Sequence, residues 1–407
     1  MRILLVNKFW KPVGGVEEHA FVVKAWLESL GHQVIPFAMQ DDDNLPSPCA
    51  RFFPSPVEFR GGGAGGKARA ALRATLGIET TRQLRRLLAE VPVDAVHVLH
   101  AYHQLGTTFL RLLKERGIPT IVSLHDYKIG CPSYRLFSDA TEEICTICLD
   151  RPSGFLWAPA VTRCWDGSRS GGAMLTAEAL VARFARTYRA AGAVIVLNEL
   201  QRRAVTRAGV DPARIHKVPH FIDVDSYPSP RREPYALYVG RLVPEKGVGD
   251  AIRACGEVGA RLRVLGDGRL RPELEALAAA VGADVEFAGQ VPQQQVIEEM
   301  RRAAVLLVPS VWHEVSALVI TQAIAAHLPV VATGTGGTPD LIGDGRGFLY
   351  SPGDVTELAR LVSSVLADGG LGRRAATRAA EYARTDLTEA RWAERLRAVY
   401  AAVGVTL

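Results

Sequence analysis

Arg241 and Lys246 stand five residues apart in the stretch Tyr238-Val-Gly-Arg-Leu-Val-Pro-Glu-Lys-Gly247, where a short apolar run ends in glycine. Two cations carried just past the carboxyl end of a strand can clasp a diphosphate and stabilise it as a leaving group. Downstream, Pro309-Ser-Val-Trp-His-Glu314 follows another apolar run and leads into Val315-Ser-Ala-Leu-Val-Ile-Thr-Gln322. Amides of Ser316, Ala317, Leu318 and Val319 at a helix start can face a phosphate, and the Glu314 carboxylate can accept hydrogen bonds from hydroxyl groups. Near the start, Gly14 and Gly15 separate an apolar run from a helical pattern, and a glycine pair there lets the backbone approach an anion closely. The spacing is not Gly-x-Gly-x-x-Gly, so a nicotinamide fingerprint is not supported. Taken singly, each feature has an ordinary reading as a tight turn, a solvated charge or an acid compensating a helix dipole. Their order, each directly after a strand, favours the functional reading.

These groups need a scaffold that delivers several strand ends to one place. Apolar runs at 2–6, 33–36, 95–99, 120–124 and 193–197 alternate with helical patterns in the first half. Runs at 236–239, 262–265, 285–287, 305–308 and 330–332 do the same in the second. Alternation of this kind predicts parallel sheets covered by helices, and two successive series predict two doubly wound, Rossmann-like domains. The length of 407 residues suits two domains of ordinary size. Residues 1–220 form the first, and Pro228, Pro230 and Pro234 mark a linker over 221–234. Residues 235–386 form the second, and a last helical pattern over 387–403 can cross back to the first. Gly334-Thr-Gly-Gly337 reads as a flexible turn after a strand, and 54–66, rich in Gly and Pro, as a mobile loop.

The combination resembles glycosyltransferase family 4, the retaining GT-B enzymes. The similarity runs from Gly14-Gly15 through His125-Asp126 to Gly-Arg-Leu-x-x-Glu-Lys-Gly and the Glu314 region, and includes Leu265-Gly-Asp-Gly268 and Gly336-Gly-Thr-Pro-Asp340. The resemblance implies a GT-B fold, two such domains facing a central cleft. It implies transfer of a sugar from a nucleotide-diphosphate sugar to a glycan, lipid-linked or small-molecule acceptor, with retention of configuration and no metal required for catalysis. In that scheme Arg241 and Lys246 bind the donor diphosphate, Glu314 the donor sugar, and Gly15 leaves room for the pyrophosphate. His125 lies by the transferring sugar in a supporting role, Gly240 is among the donor-binding residues, and the nucleotide base meets backbone near Gly266 and Val291. The family usually carries a second glutamate eight positions after the first, where this chain has Gln322. That carboxylate holds the ribose hydroxyls, and glutamine cannot offer them a charged acceptor. The departure leaves open a noncatalytic sugar-nucleotide-binding partner, or a nucleotide-sugar epimerase on the same architecture.

Cys131, Cys145, Cys148 and Cys164 fall in one irregular stretch around a Cys-x-x-Cys pair. Four thiolates suit a structural tetrahedral zinc, and four reduced thiols are the equal alternative. Residues 67–88 hold Arg69, Arg73, Arg82, Arg85 and Arg86 among Ala and Leu. They read first as a helix with a solvated basic face and second as a peripheral contact with an anionic membrane. The formal charge of +5 is mild, and the basic residues lack interleaved aromatic platforms, which argues against nucleic acid. No signal h-region and no run of about 20 apolar residues is visible, so the expectation is a cytoplasmic protein, at most peripheral at the inner membrane face.

Overall fold

A computed structural model describes residues 1–57, 75–101, 104–151, 153–184, 186–225 and 227–407. Arg69, Arg73 and the glycine-rich stretch 58–66 lie outside the described residues. In the first half, β1 (Arg2–Val6), β2 (Gln33–Phe37), β3 (Ala95–Val98) and β4 (Thr120–Ser123) are followed by a small antiparallel hairpin, β5 (Phe137–Ser138) and β6 (Glu143–Ile144). β7 (Ala193–Val196) and β8 (Ile215–Lys217) complete a sheet ordered β2-β1-β3-β4-β7-β8. The second sheet holds β9 (Glu233–Val239), β10 (Leu262–Leu265), β11 (Val285–Gly289), β12 (Ala303–Val308), β13 (Val330–Thr333) and β14 (Phe348–Tyr350), ordered β11-β10-β9-β12-β13-β14. Every pairing within these two sheets is parallel. The architecture is the doubly wound pair expected of a GT-B fold.

The sheets form because their strands are apolar on both faces, which only helices on both sides can cover. Ile3, Leu4, Leu5 and Val6 of β1 are all fully buried. In β12 the faces alternate: Leu306 and Val308 join a core with Ile320 and Ile324, while Val305 and Leu307 join another with Ile252 and Leu358. That is the strand period of two, expressed as two cores on opposite faces of one sheet. The order of strands reverses direction between β1 and β3 in one sheet and between β9 and β12 in the other. At such switch points the loops diverge and leave a crevice beyond the strands' carboxyl ends. The segments after β1, β9 and β12 are those that carry Gly15, Arg241 and Glu314.

The chain crosses between the domains twice, and the crossings touch: Ile222 N–H donates to the Leu387 carbonyl at 2.7 Å. After the second crossing the helix Glu389–Ala402 packs into the first domain's core through Trp392, Leu396, Val399 and Tyr400. β9 begins at Glu233, two residues inside the stretch read as linker, because Glu233 pairs with Ala303 of β12. β8 and β14 went unread in the sequence: each is three residues long and lies at a sheet edge. No described helix is long and apolar enough to cross a membrane.

Candidate active site

Lys246 reaches the centre of the second domain's crevice through a short 3-10 turn, Pro244–Lys246, closed by Gly247 at φ 62°. A side chain at 247 would put its Cβ 2.0 Å from the Pro309 carbonyl, so only glycine lets this turn lie against the exit of β12. There the Lys246 ammonium meets Glu314 Oε1 at 2.6 Å and stands 5.0 Å from the centre of the Trp312 ring. Ser310 Oγ donates to the same carboxylate oxygen at 2.7 Å. Glu314 is only 6% exposed. Burial alone would raise its pKa, but the Lys246 charge and the hydrogen bonds outweigh burial and hold it below the ordinary value. The loop after β13, read from sequence as flexible, is a brace. Gly336 N–H donates to His313 Nδ1 at 3.1 Å, Gly337 N–H to the Glu314 carbonyl at 2.7 Å, and Thr335 Oγ1 to the Trp312 carbonyl at 2.8 Å.

Arg241 follows Gly240 at the end of β9, and its side chain is 68% exposed, 3.8 Å from Glu245. Glu245 is neutralised more closely, at 3.1 Å, by Arg135 of the first domain. The two cations read as one clamp therefore differ: Lys246 is held by a buried carboxylate, and Arg241 stands free to move onto a ligand. Gly240, Gly266 and Gly289 are stitched along the ends of β9, β10 and β11, with Gly240 N–H on the Leu265 carbonyl at 2.9 Å and Gly266 N–H on the Gly289 carbonyl at 2.8 Å. Val291 lies two residues past β11 and is partly buried.

The first domain meets this crevice closely. Gly15 opens the helix Gly15–Ser29, and a Cβ there would stand 3.4 Å from Leu318 Cδ1, at the first residue of the helix Leu318–Ala325. Both helix starts thus face one gap, with Ser316 and Ala317 leading into the second. The Leu318 and Val319 amides make no backbone hydrogen bond among the described residues, which leaves them able to bind an anion. Gln322 is partly buried in the next turn of that helix and its side chain makes no hydrogen bond among the described residues.

His125, after β4, turns toward the interdomain crossing. Its ring stacks on His220 at 5.8 Å and tilts against His19 at 5.1 Å. Burial first, then the neighbouring His220, pushes its pKa well below the ordinary value, so the ring is neutral near pH 7. Its Nε2 is enclosed without a partner among the described residues, a nitrogen left for a ligand to satisfy. Asp126 beside it is driven up to about 6 by burial, although the Lys128 amide donates to it at 2.8 Å.

Sequence reasoning missed the residues that join the domains. Tyr127 Oη donates to the Glu314 carbonyl at 3.1 Å, and Asn198 Nδ2 donates to Tyr127 Oη at 3.2 Å and to the Val315 carbonyl at 2.8 Å. Lys217 pairs with Asp340 across the same seam. No spacing signal announces such pairs, because each partner belongs to a different domain. The only hint was the polar run His125-Asp126-Tyr127-Lys128 after an apolar strand.

The four cysteines of the zinc expectation lie near one another, for Cys131, Cys145 and Cys164 all act on the Cys148 thiol. Among the described residues no group of three or more His, Cys, Asp or Glu is arranged to hold a metal ion, and all six cysteines are free thiols. Burial, and then Cys131 nearby, pushes the Cys164 thiol up to about 11, and Cys148 shifts in the same direction. Cys131 instead shares a 3.2 Å contact with Ser133 Oγ. The basic face of Arg82, Arg85 and Arg86 is present as the exposed side of the helix Ile78–Glu90, whose buried side carries Leu84 and Leu87.

Residues 13–226 match the family model described as Glycosyltransferase Family 4, and residues 222–386 the one described as Glycosyl transferases group 1. The chain is 37% identical over 143 residues to 2-deoxystreptamine glucosyltransferase of Streptomyces kanamyceticus, covering 33% of this chain and 37% of that protein. It is 29% identical over 240 residues to alpha-D-kanosaminyltransferase of the same organism, covering 53% of this chain and 62% of that one. The chain therefore spans less than two thirds of these relatives' length. A glycogen synthase of Mycobacterium tuberculosis is 26% identical across 95% of this chain and 91% of its own. Among solved structures, sucrose-phosphate synthase from Thermosynechococcus elongatus superposes with a TM-score of 0.69 at 19% identity, over 99% of both chains. Anabaena HepE in complex with UDP superposes at 0.65 and 16% identity, over 99% of this chain and 100% of that one. At these identities the likeness is one of fold.

Proposed function

The chain belongs to glycosyltransferase family 4, and from that premise we propose that it is a retaining, metal-independent glycosyltransferase acting on a nucleotide-diphosphate sugar. The observation that carries the reading is the buried Lys246–Glu314 pair, 2.6 Å apart, beneath the gap where Gly15 meets Leu318. UDP in the HepE complex, within the same fold, supports a nucleotide donor here.

In this reading the donor's diphosphate lies on the free amides of Leu318 and Val319, with Gly15 opposite leaving room for it. Arg241 closes on it from solvent, and Lys246, whose ammonium has three donors, contacts it while keeping Glu314. Glu314 accepts hydrogen bonds from the sugar hydroxyls. The acceptor oxygen forms its bond to the anomeric carbon as the carbon–oxygen bond to the diphosphate breaks. The electron pair leaves with the diphosphate, whose oxygen takes the acceptor's proton. Attack from the face that the leaving group vacates retains configuration. Neutral His125 donates or accepts one hydrogen bond at the reacting sugar and stays uncharged. The tight seam excludes water and favours transfer over hydrolysis.

The test is Glu314→Gln, which keeps the shape of the site and removes its charge. Lys246→Ala is less clean, because an unpaired buried carboxylate costs roughly 3–5 kcal/mol. The double variant Lys246→Met with Glu314→Gln supplies a control in which no charge is stranded. With a panel of nucleotide sugars and acceptors, both Glu314→Gln and the double variant should lose transfer while melting cooperatively. Turnover at the wild-type rate in a folded Glu314→Gln protein would reject the assignment.

A further inference from the structure

Apart from the cleft, a cavity of about 350 Å³ opens in the first domain between the helix Arg169–Phe184, the turn Thr187–Ala190 and the loop 128–132. Its wall carries Lys128, Arg183, Arg186 and Arg189 against a single carboxylate, Glu178. That carboxylate is already used: Lys128 Nζ meets Glu178 Oε2 at 2.7 Å, with both side chains largely buried, and also donates to the Pro132 carbonyl at 2.7 Å. The three arginines have no carboxylate partner among the described residues. All three are exposed at the mouth. Apolar faces stand beside the charges. The Arg183 guanidinium lies 4.5 Å over the Phe155 ring, and Phe184, 82% exposed, lines the same opening. The Arg189 guanidinium lies against Gly209, where a Cβ would stand 2.0 Å from its Nη2.

We propose that this cavity is the subsite for a phosphate ester borne by the acceptor, with the ester's apolar body laid on Phe155 and Phe184. Three unmatched guanidiniums exceed what one carboxylate can balance, and their planar forks fit phosphate oxygens in pairs. The volume takes a phosphate with a few further heavy atoms, at the lower end of small-ligand sites. Lys128 to Pro132 of this wall follow His125 and Asp126 directly in the chain, so the wall continues the segment that leaves β4. The identification of the ligand as acceptor rests on the transfer reading. The phosphate site itself does not.

The test compares the wild type with the triple variant Arg183→Ser, Arg186→Ser, Arg189→Ser, by calorimetry in saturating UDP so that the donor site is occupied. The probes are inorganic phosphate, butyl phosphate, and vesicles of phosphatidylcholine with or without phosphatidic acid. Butyl phosphate should bind the wild type more tightly than inorganic phosphate, and the variant should lose about tenfold or more, as exposed charge-assisted contacts permit. Retention on phosphatidic-acid vesicles that the variant loses assigns a lipid-borne ester, and binding of the soluble esters alone assigns a free one. Equal behaviour of the two proteins with every probe, or binding of none, overturns the proposal. UDP affinity is measured on both proteins in parallel. Its absence from both would reject a uridine donor without touching the comparison of phosphate probes.

Discussion

Replacing Tyr127 by phenylalanine deletes one oxygen from the seam between the domains and changes little else, since the ring is 1% exposed and packs with Cys131, Leu136 and Leu149. The lost hydroxyl donates to the Glu314 carbonyl and accepts from Asn198. Neither partner is orphaned. The Glu314 carbonyl keeps the Gly337 amide at 2.7 Å, and Asn198 Nδ2 keeps the Val315 carbonyl at 2.8 Å. Folding therefore loses the net value of two hydrogen bonds, about 2 kcal/mol, and the joining of the domains loses the one that crosses the seam, about 1 kcal/mol, without the larger penalty of an unsatisfied buried group. In the equilibrium between joined and parted domains that is roughly fivefold. Asn198→Ala removes more: the seam bond to Val315, the bond to Tyr127 within the first domain, and the cap that Oδ1 places on the Gln201 amide at 2.8 Å. A cap of about 1 kcal/mol and two bonds of similar size sum to roughly 3 kcal/mol. UDP titration should show affinity about fivefold weaker in Tyr127→Phe, with urea unfolding lowered by about 2 kcal/mol. The double variant should fall short of the sum, because the residues share a bond. Wild-type UDP affinity and stability in Tyr127→Phe would refute the reasoning, for the hydroxyl would then hold nothing.

Two further outcomes follow. His97 is buried between Tyr400 Oη at 3.1 Å and Ser123 Oγ at 2.8 Å, and burial lowers its pKa from 6.5 to about 3. The unfolded chain takes a proton below pH 6.5 that the folded chain refuses, so stability is full above that pH and is lost progressively as pH falls toward 3. At pH 5 this one ring accounts for about 2 kcal/mol. Urea unfolding of wild type and His97→Gln at pH 7.5 and 5 should show that much less acid sensitivity in the variant, and equal sensitivity would count against it. Gln322→Glu restores a charged acceptor beside the free amides of Leu318 and Val319, and UDP should bind about fivefold tighter, near 1 kcal/mol. An unchanged or weaker affinity would show that position 322 does not meet the ribose.

Much of the fold was legible because long central strands announce themselves. Ile3–Val6 and Val305–Val308 are apolar at every position, and Gly240 marks where β9 ends. β8 and β14 were not legible, since three residues at a sheet edge have neither a full period nor a second buried face. The site divides the same way. Arg241, Lys246 and Glu314 stood out by spacing along the chain, but the pairing of Lys246 with Glu314 did not, because it depends on how tightly Gly247 lets one turn lie on another. Tyr127, Asn198 and Arg135 were invisible for a related reason: their roles exist only between domains. The four cysteines were legible as a group along the chain, but spacing does not give side-chain geometry, and the burial of Cys131 and Cys164 beside a hydroxyl and a carbonyl oxygen could not be read from it.

The return of the helix Glu389–Ala402 has a consequence for synthesis. Trp392 and Tyr400 fill the first domain's interior, and Tyr400 supplies a partner to buried His97. A nascent chain that has completed both sheets of strands still lacks these pieces of its earliest-made half. The core of that half therefore cannot be completed until residues 389–402 have been made, and a chain cut short before Glu389 lacks the indole and phenol rings that fill it.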